Sequence, residues 1–318
     1  NKNTDDACLS PYTSELAAMK EYEYEAKAMG CTVSATIVSE DATVADAAWE
    51  RMYDTIRAYD MRFSRFNPES ELSRLNIART MQVSREMRDV ILLGKELYRK
   101  TDGVFTMLAD VSRFGYDEDI VVVRNRERTG HTSTYDTDAS SIVIDGDTVK
   151  LREGQTIDVG GFLKGHLAEC LAKDAIEFPG VVINLGGDLY TRGVNAYGEP
   201  FELAIEKPNG EEIRFTARDE AVATSGTYRR RWRYNGAPMH HILRADGHGN
   251  PVTDLVSATV IAPHGADAEA YSTASIVLGS VRAKKLLESQ GLEYAFVKRN
   301  GTVVSSKRFS APLPSYAG

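Results

Sequence analysis

A succession of short alternating apolar and polar runs, closed by glycine turns, limits what this chain can fold into more than any other feature. Ser141 to Ile144 and Thr148 to Leu151 flank Asp145-Gly146, while Tyr294 to Lys298 and Thr302 to Ser305 flank Asn300-Gly301. Asp-Gly and Asn-Gly supply the positive φ angles that tight hairpin turns require. Further strand-like runs lie at Thr32 to Val38, Val181 to Leu185, Phe201 to Ile205 and Ile213 to Ala217. Arg231 to Tyr234, His240 to Leu243 and Ser257 to Ala262 continue the series, and Gln155 to Asp158 reads as a strand end. Hairpins outnumber βαβ crossovers, so the pattern predicts an α+β fold of largely antiparallel sheets packed with helices.

Helical periodicity appears between these runs. Val44, Ala47, Ala48, Met52, Ile56 and Tyr59 recur at spacings of three and four across Ala42 to Asp60, one apolar stripe of an amphipathic helix. Ser84 is a capping residue for a helix through Tyr98. Gly160-Gly161 opens another helix, running to about Glu177, and two more are expected at Asp267 to Leu278 and Val281 to Gln290. Residues 1–28 are polar and acidic, with a short helical patch around Glu15 to Met19, and read as a lead-in to a single domain over residues 29–318.

Composition removes several function classes. With 42% hydrophobic residues in 318, the chain can bury a core, yet no run approaches the roughly 20 apolar residues of a membrane span. The net charge of −8 repels nucleic acid and anionic membranes. Cys8, Cys31 and Cys170 form no metal-binding spacing and read as incidental thiols, with Cys170 on a buried helix face. Alternation on Arg231 to Tyr234 sends Arg231 and Arg233 to the face opposite Trp232, a solvated face rather than a nucleic-acid patch.

Three small-residue turns are candidates for gathering backbone around a ligand: Asp158 to Gly165, Asn184 to Asp188, and Thr224-Ser225-Gly226. The first joins a strand end to a helix start, where free N–H groups suit a phosphate, although it matches neither a Walker loop nor GxGxxG. A tight structural corner explains each of the three equally well. Glu269 and Thr273, four apart on a predicted helix, share one face. They offer hard oxygen donors of the kind Mg²⁺ takes, from a carboxylate read as exposed.

Taken together, the segments resemble one family. Phe63-Ser64-Arg65-Phe66-Asn67-Pro68-Glu69-Ser70-Glu71-Leu72-Ser73-Arg74-Leu75-Asn76 is similar to the F-S-R-F-x-P-x-S-E-L-S-R-L-N signature of ApbE-type FAD:protein FMN transferases. Met29-Gly30 resembles their M-G-T, Ile157 to Gly165 their I-D-L-G-G-I-A-K-G, and Ile183 to Asp188 their V-N-L-G-G-D. Ala223 to Gly226 with Tyr228-Arg229 resembles A-T-S-G-x-Y-R, His241 to Leu243 resembles H-I-I, and Ala268 to Gly279 resembles A-D-A-L-A-T-A-x-x-V-L-G. Seven motifs keep their order from Met29 to about Phe309.

The resemblance implies two closely associated subdomains and Mg²⁺-dependent transfer of FMN from FAD to a Thr or Ser hydroxyl of an acceptor protein, releasing AMP. It also implies an extracytoplasmic setting. By the same resemblance, the carbonyl of Leu163 and the side chains of Glu269, Ser272 and Thr273 hold Mg²⁺. Met29, Phe66, Val104, Phe105, Thr106, Gly160, His166 and Leu243 contact FAD, and His241 acts on the acceptor hydroxyl or the phosphate. Glu269 stands where the family has Asp, and Arg244-Ala245 where it has Asp-Pro. An FAD pyrophosphatase and a non-catalytic flavin binder stay open as alternatives.

Overall fold

A computed structural model describes residues 18–118, 120–130 and 135–310. The chain opens with β1 (Lys20–Ala28) and β2 (Cys31–Ser39), followed by α1 (Ala42–Phe63), α2 (Glu71–Ala78), β3 (Thr80–Gln82) and α3 (Arg85–Lys100). A middle stretch carries α4 (Ile120–Arg124), β4 (Glu127–Arg128), β5 (Val143–Asp145), β6 (Thr148–Lys150) and α5 (Leu163–Asp174). Then come β7 (Gly180–Leu185), β8 (Asp188–Gly193), β9 (Phe201–Glu206), β10 (Glu212–Ala217), β11 (Glu220–Gly226), β12 (Arg231–Tyr234) and β13 (Ala237–His240). The last elements are β14 (Leu255–Ala262), α6 (Gly265–Leu278), α7 (Ser280–Ser289), β15 (Glu293–Lys298) and β16 (Val303–Ser305).

An eight-stranded sheet in the order β1-β2-β7-β8-β11-β14-β15-β16 forms the frame, and every pairing in it is antiparallel. The fold is therefore α+β, as the turn chemistry predicts. A parallel pairing occurs between β12 and β4 in a separate three-stranded sheet. Along β2 and β7, Val33, Ala35, Ile37, Val181, Ile183 and Leu185 alternate onto one face and pack with α1 and α5. Asp41 caps α1 by accepting from the Thr43 N–H at 2.7 Å, and Ser84 caps α3 by accepting from the Met87 N–H at 3.2 Å. Both caps satisfy backbone donors that a helix start leaves unpaired.

Several expectations are corrected. The lead-in does not extend to residue 28: Lys20–Ala28 is the edge strand of the main sheet, in register with β2 from Lys20↔Ser39 to Ala28↔Cys31. Its alternation places Tyr22, Tyr24 and Ala26 against the core cluster while Glu21, Glu23 and Glu25 stay exposed, a polarity that hides a strand in an acidic run. The patch at Glu15 to Ala17 lies outside the described residues. Gln155 to Asp158 joins no sheet, since the buried Gln155 side chain takes the Arg152 N–H at 2.9 Å instead. The helix after the Gly160-Gly161 turn starts at Leu163 and ends at Asp174. The strand placed at His240 to Leu243 ends at His240. Thr224-Ser225-Gly226 is no turn but the end of β11, paired with β14.

Candidate active site

Two glycines bring the chemistry together. Gly165, in the first turn of α5, and Gly265, which begins α6, approach so closely that a Cβ on either would strike the other's backbone. The two helix starts consequently meet almost backbone to backbone, as only glycine permits. One turn into α6, Glu269 reaches across to α5. Its Oε2 accepts the Gly165 N–H at 2.9 Å and its Oε1 accepts from Lys164 Nζ at 2.8 Å. The Lys164 ammonium is also bonded to Asp188, which the β7–β8 hairpin turn delivers to the same place.

This network is buried. Glu269 is 4% exposed and Asp188 5%, so the residue read as an exposed helix carboxylate lies in the interior. Burial, and then the Asp188 charge, push the Glu269 carboxyl upward, with Lys164 and the Gly165 N–H opposing. Burial alone would lower the Lys164 ammonium, but the two carboxylates outweigh it and the net shift is upward.

Beside the ion network, three hydroxyls converge. Ser225 Oγ, at the end of β11, lies 2.8 Å from Ser272 Oγ and 2.9 Å from Thr273 Oγ1, and Ser272 Oγ donates to the Glu269 carbonyl at 2.9 Å. Leu163 precedes Lys164 as the first residue of α5, its side chain in the core. The four residues expected to hold a metal thus lie at the start of α5 (Leu163) and one to two turns into α6 (Glu269, Ser272 and Thr273). Among the described residues no group of three or more His, Cys, Asp or Glu side chains could hold a metal ion. A cation here would rest on one carboxylate, hydroxyls and a carbonyl, a hard-oxygen set suited to Mg²⁺. The charge also fits, because two buried carboxylates face one ammonium.

His241 follows β13 and sits close enough to Lys164 to feel its charge. Its Nδ1 is buried and has no hydrogen-bond partner among the described residues. Burial, then the Arg230 charge, depress the imidazole to about 3, so the ring is neutral at physiological pH. Cys31, at the start of β2, is influenced by Lys164, Arg230 and Asp188. Burial raises both its thiol and that of Cys170, the latter to about 11, so neither is an activated nucleophile.

The other expected ligand contacts are dispersed around this centre. Met29 turns the β1–β2 hairpin at φ 52°, and its N–H donates to Asp60 Oδ2 at 2.8 Å. Phe66 is 48% exposed, with the Arg65 guanidinium 4.0 Å from its ring centroid and 4.6 Å from that of Tyr116. Arg65 also pairs with Asp158 at 3.3 Å, and Asp158 Oδ1 accepts the Gly160 N–H at 2.8 Å. The Phe66 and Gly160 regions are thereby joined. Phe105 and Leu243 are core residues, the first edge-on to Phe162 and the second clustered with Trp232 and Tyr116. Val104 is half-buried, and the buried Thr106 hydroxyl donates to the Thr137 carbonyl at 2.8 Å. His166 lies one turn from Cys170 on α5, with Nε2 3.7 Å from Sγ, its imidazole lowered by burial.

Sequence reading quoted Lys164, Asp188 and Ser225 within motifs but gave none of them a role. Their signal was a polar residue beside glycines at an element's end, and its partners are 24 and 105 residues away for Lys164.

His240, next to His241, bears on stability rather than chemistry. Its Nδ1 accepts the Ile242 N–H at 3.3 Å, and burial with Arg299 and Arg231 nearby lowers the ring to about 4. The unfolded chain protonates this histidine near pH 6.5 whereas the folded chain waits until about 4. Stability is therefore fully present above pH 6.5 and falls as the pH drops towards 4, by on the order of 3 kcal/mol from this group. In urea titrations at pH 7 and pH 4.5, His240→Asn, which retains an acceptor but cannot titrate, should show a clearly smaller difference than the wild type. An unchanged difference would assign the acid sensitivity to other groups.

A family model described as the ApbE family matches residues 29–296. Among curated proteins, an FAD:protein FMN transferase from Escherichia coli strain K12 is 27% identical over 320 residues, covering 92% of this chain and 88% of that protein. Another, from Haemophilus influenzae, is 24% identical and covers 88% of each. Among solved structures, the apo form of Pseudomonas stutzeri flavinyl transferase ApbE superposes with a TM-score of 0.79 at 22% identity, covering 94% of this chain and 99% of that one. The ApbE protein of Thermotoga maritima gives 0.79 at 23%, covering 92% and 98%. At these identities the structural likeness is one of fold.

Proposed function

The chain belongs to the ApbE family, and on that premise we propose that it is a Mg²⁺-dependent transferase moving FMN from FAD to a Thr or Ser hydroxyl of an acceptor protein, with release of AMP. The observation carrying this reading is the buried Lys164–Asp188–Glu269 network beside the hydroxyls of Ser225, Ser272 and Thr273. Such an arrangement suits a phosphoryl-type transfer, in which positioning and charge compensation dominate.

The Leu163 carbonyl, Glu269, Thr273 and Ser272 would hold Mg²⁺. The ion supplies charge neutralisation at the pyrophosphate as the bond to AMP breaks. This chain's own residues do the rest. Lys164 bonds to both Asp188 and Glu269 and opposes the upward push that burial gives the Glu269 carboxyl, and the Gly165 N–H orients that carboxyl. His241, whose buried Nδ1 has no partner among the described residues, would act on the acceptor hydroxyl or steady the phosphate, and the phosphate's negative charge would oppose the depression that burial and Arg230 impose on the ring. Phe66, exposed and backed by Arg65, would provide a flat face for a ring of FAD, and by the family resemblance Met29, Val104, Phe105, Thr106, Gly160, His166 and Leu243 would supply the other FAD contacts.

Intact mass of a flavin-acceptor domain, taken after incubation with this protein, FAD and Mg²⁺, tests the reading. One FMN added to the acceptor, and none when EDTA is present, is the expected result. An unmodified acceptor would overturn it. AMP in solution would then indicate a pyrophosphatase, and intact bound FAD a flavin binder.

A further inference from the structure

Four arginines crowd the start of the β12–β13 hairpin, and only one of them is partly buried. Along β12 the odd positions Arg231 and Arg233 are exposed while Trp232 and Tyr234 are buried. Arg230 lies in the bend just before β12 and is partly buried, whereas Arg229, Arg231 and Arg233 are exposed. The hairpin register pairs Arg231 with His240. Arg230 and His241 flank that last registered pair, one on each chain of the hairpin.

The Arg230 charge acts on both His241 and Cys31, as does that of Lys164. The two cations thus lie close enough to act on the same pair of side chains, Lys164 from α5 and Arg230 from the bend before β12. They differ in their partners. Lys164 lies between two carboxylates, Arg229 pairs with Glu206 at 3.6 Å and Arg233 with Glu127 at 3.6 Å. Arg230 has no ion pair or side-chain hydrogen bond among the described residues. A partly buried arginine without a counter-anion among the described residues, in a chain of net charge −8, is unusual where acidic residues outnumber basic ones. Beside it is the bare, buried Nδ1 of His241, a second polar atom left for something the protein does not itself supply.

From this geometry we infer that Arg230 is a phosphate-binding residue, its guanidinium engaging oxygens of the nucleotide pyrophosphate alongside His241. The planar fork presents paired N–H donors that match two phosphate oxygens, which a lysine cannot reproduce. The inference rests on the proposed FAD chemistry for the identity of the ligand, but not on whether FMN is transferred.

The test is FAD binding, read by flavin fluorescence in wild type and in Arg230→Gln, Arg230→Lys and Arg231→Gln, each first checked for folding by circular dichroism. Loss of a charged hydrogen-bonding group should raise the FAD Kd of Arg230→Gln about tenfold or more. Arg230→Lys should fall between this variant and wild type, and Arg231→Gln should stay within about twofold of wild type. Inorganic pyrophosphate should compete with FAD on wild type and clearly less on Arg230→Gln. A Kd for Arg230→Gln within about twofold of wild type, or equal losses in the Gln and Lys variants with a lowered Tm, would overturn the assignment. If Arg230→Gln does not fold, Arg230→Lys decides: undiminished competition by pyrophosphate then rejects the inference. A wild-type protein that binds FAD without modifying an acceptor would defeat the proposed transfer and leave this comparison intact.

Discussion

Lys164→Met is expected to destabilise the protein by about 3–5 kcal/mol, the largest loss among the polar substitutions considered. The reason is an imbalance of buried charge. Lys164 is bonded to both Asp188 and Glu269, and the three side chains are 12%, 7% and 5% exposed. Removing the ammonium leaves two carboxylates facing each other in a poorly hydrated space, and stranding a buried charge costs several kcal/mol. One carboxyl is expected to take up a proton in response, so the deficit should shrink as the pH is lowered. Urea unfolding at pH 8 and pH 5, with EDTA present so that no cation stands in for the lysine, checks both statements. Equal stability of variant and wild type at pH 8 would mean that water reaches the network and screens it.

Glu269→Ala is expected to lower Mg²⁺-dependent flavin transfer by at least about 10²-fold, the scale seen when one charge-stabilising group is lost from an active site. Its effect on folding should be smaller than that of Lys164→Met. Taking away Glu269 leaves Lys164 paired with Asp188, a neutral couple, and the main new cost is the Gly165 N–H that loses its acceptor, about 1–3 kcal/mol. That cost is still real, because the residue is 4% exposed rather than on a solvated helix face. Glu269→Gln should recover part of the stability, since its amide oxygen can take the Gly165 N–H, yet recover little of the activity. Full transfer activity in Glu269→Ala would remove Glu269 from the metal assignment.

The two substitutions separate what the network does for folding from what it does for chemistry. Arg230 stands apart from both. It is not locked to a carboxylate, so its loss is expected to appear in ligand affinity and not in stability.

Much of this was readable along the chain. Hairpin turns at Asp145-Gly146 and Asn300-Gly301, the capping residue Ser84 and the apolar stripe of α1 are local signals, and each is decided by residues a few positions apart. The ordered motifs identified the ApbE family for the same reason, because each is a short contiguous segment. The acidic strand β1 escaped this reading, since the alternation of its tyrosines is diluted by glutamates and its partner, β2, supplies the hydrogen bonds. Thr224-Ser225-Gly226 resembled a turn because small polar residues favour turns, yet pairing with β14 holds them extended. Sequence alone determined the α+β antiparallel class and the starts of α1 and α3. Tertiary structure alone decided that Glu269 is buried, that Lys164 bridges it to Asp188, and that Arg230, unlike Arg229, Arg231 and Arg233, is partly buried. Those facts depend on the backbone-to-backbone meeting of Gly165 with Gly265 and on strand register, long-range geometry that local spacing does not encode.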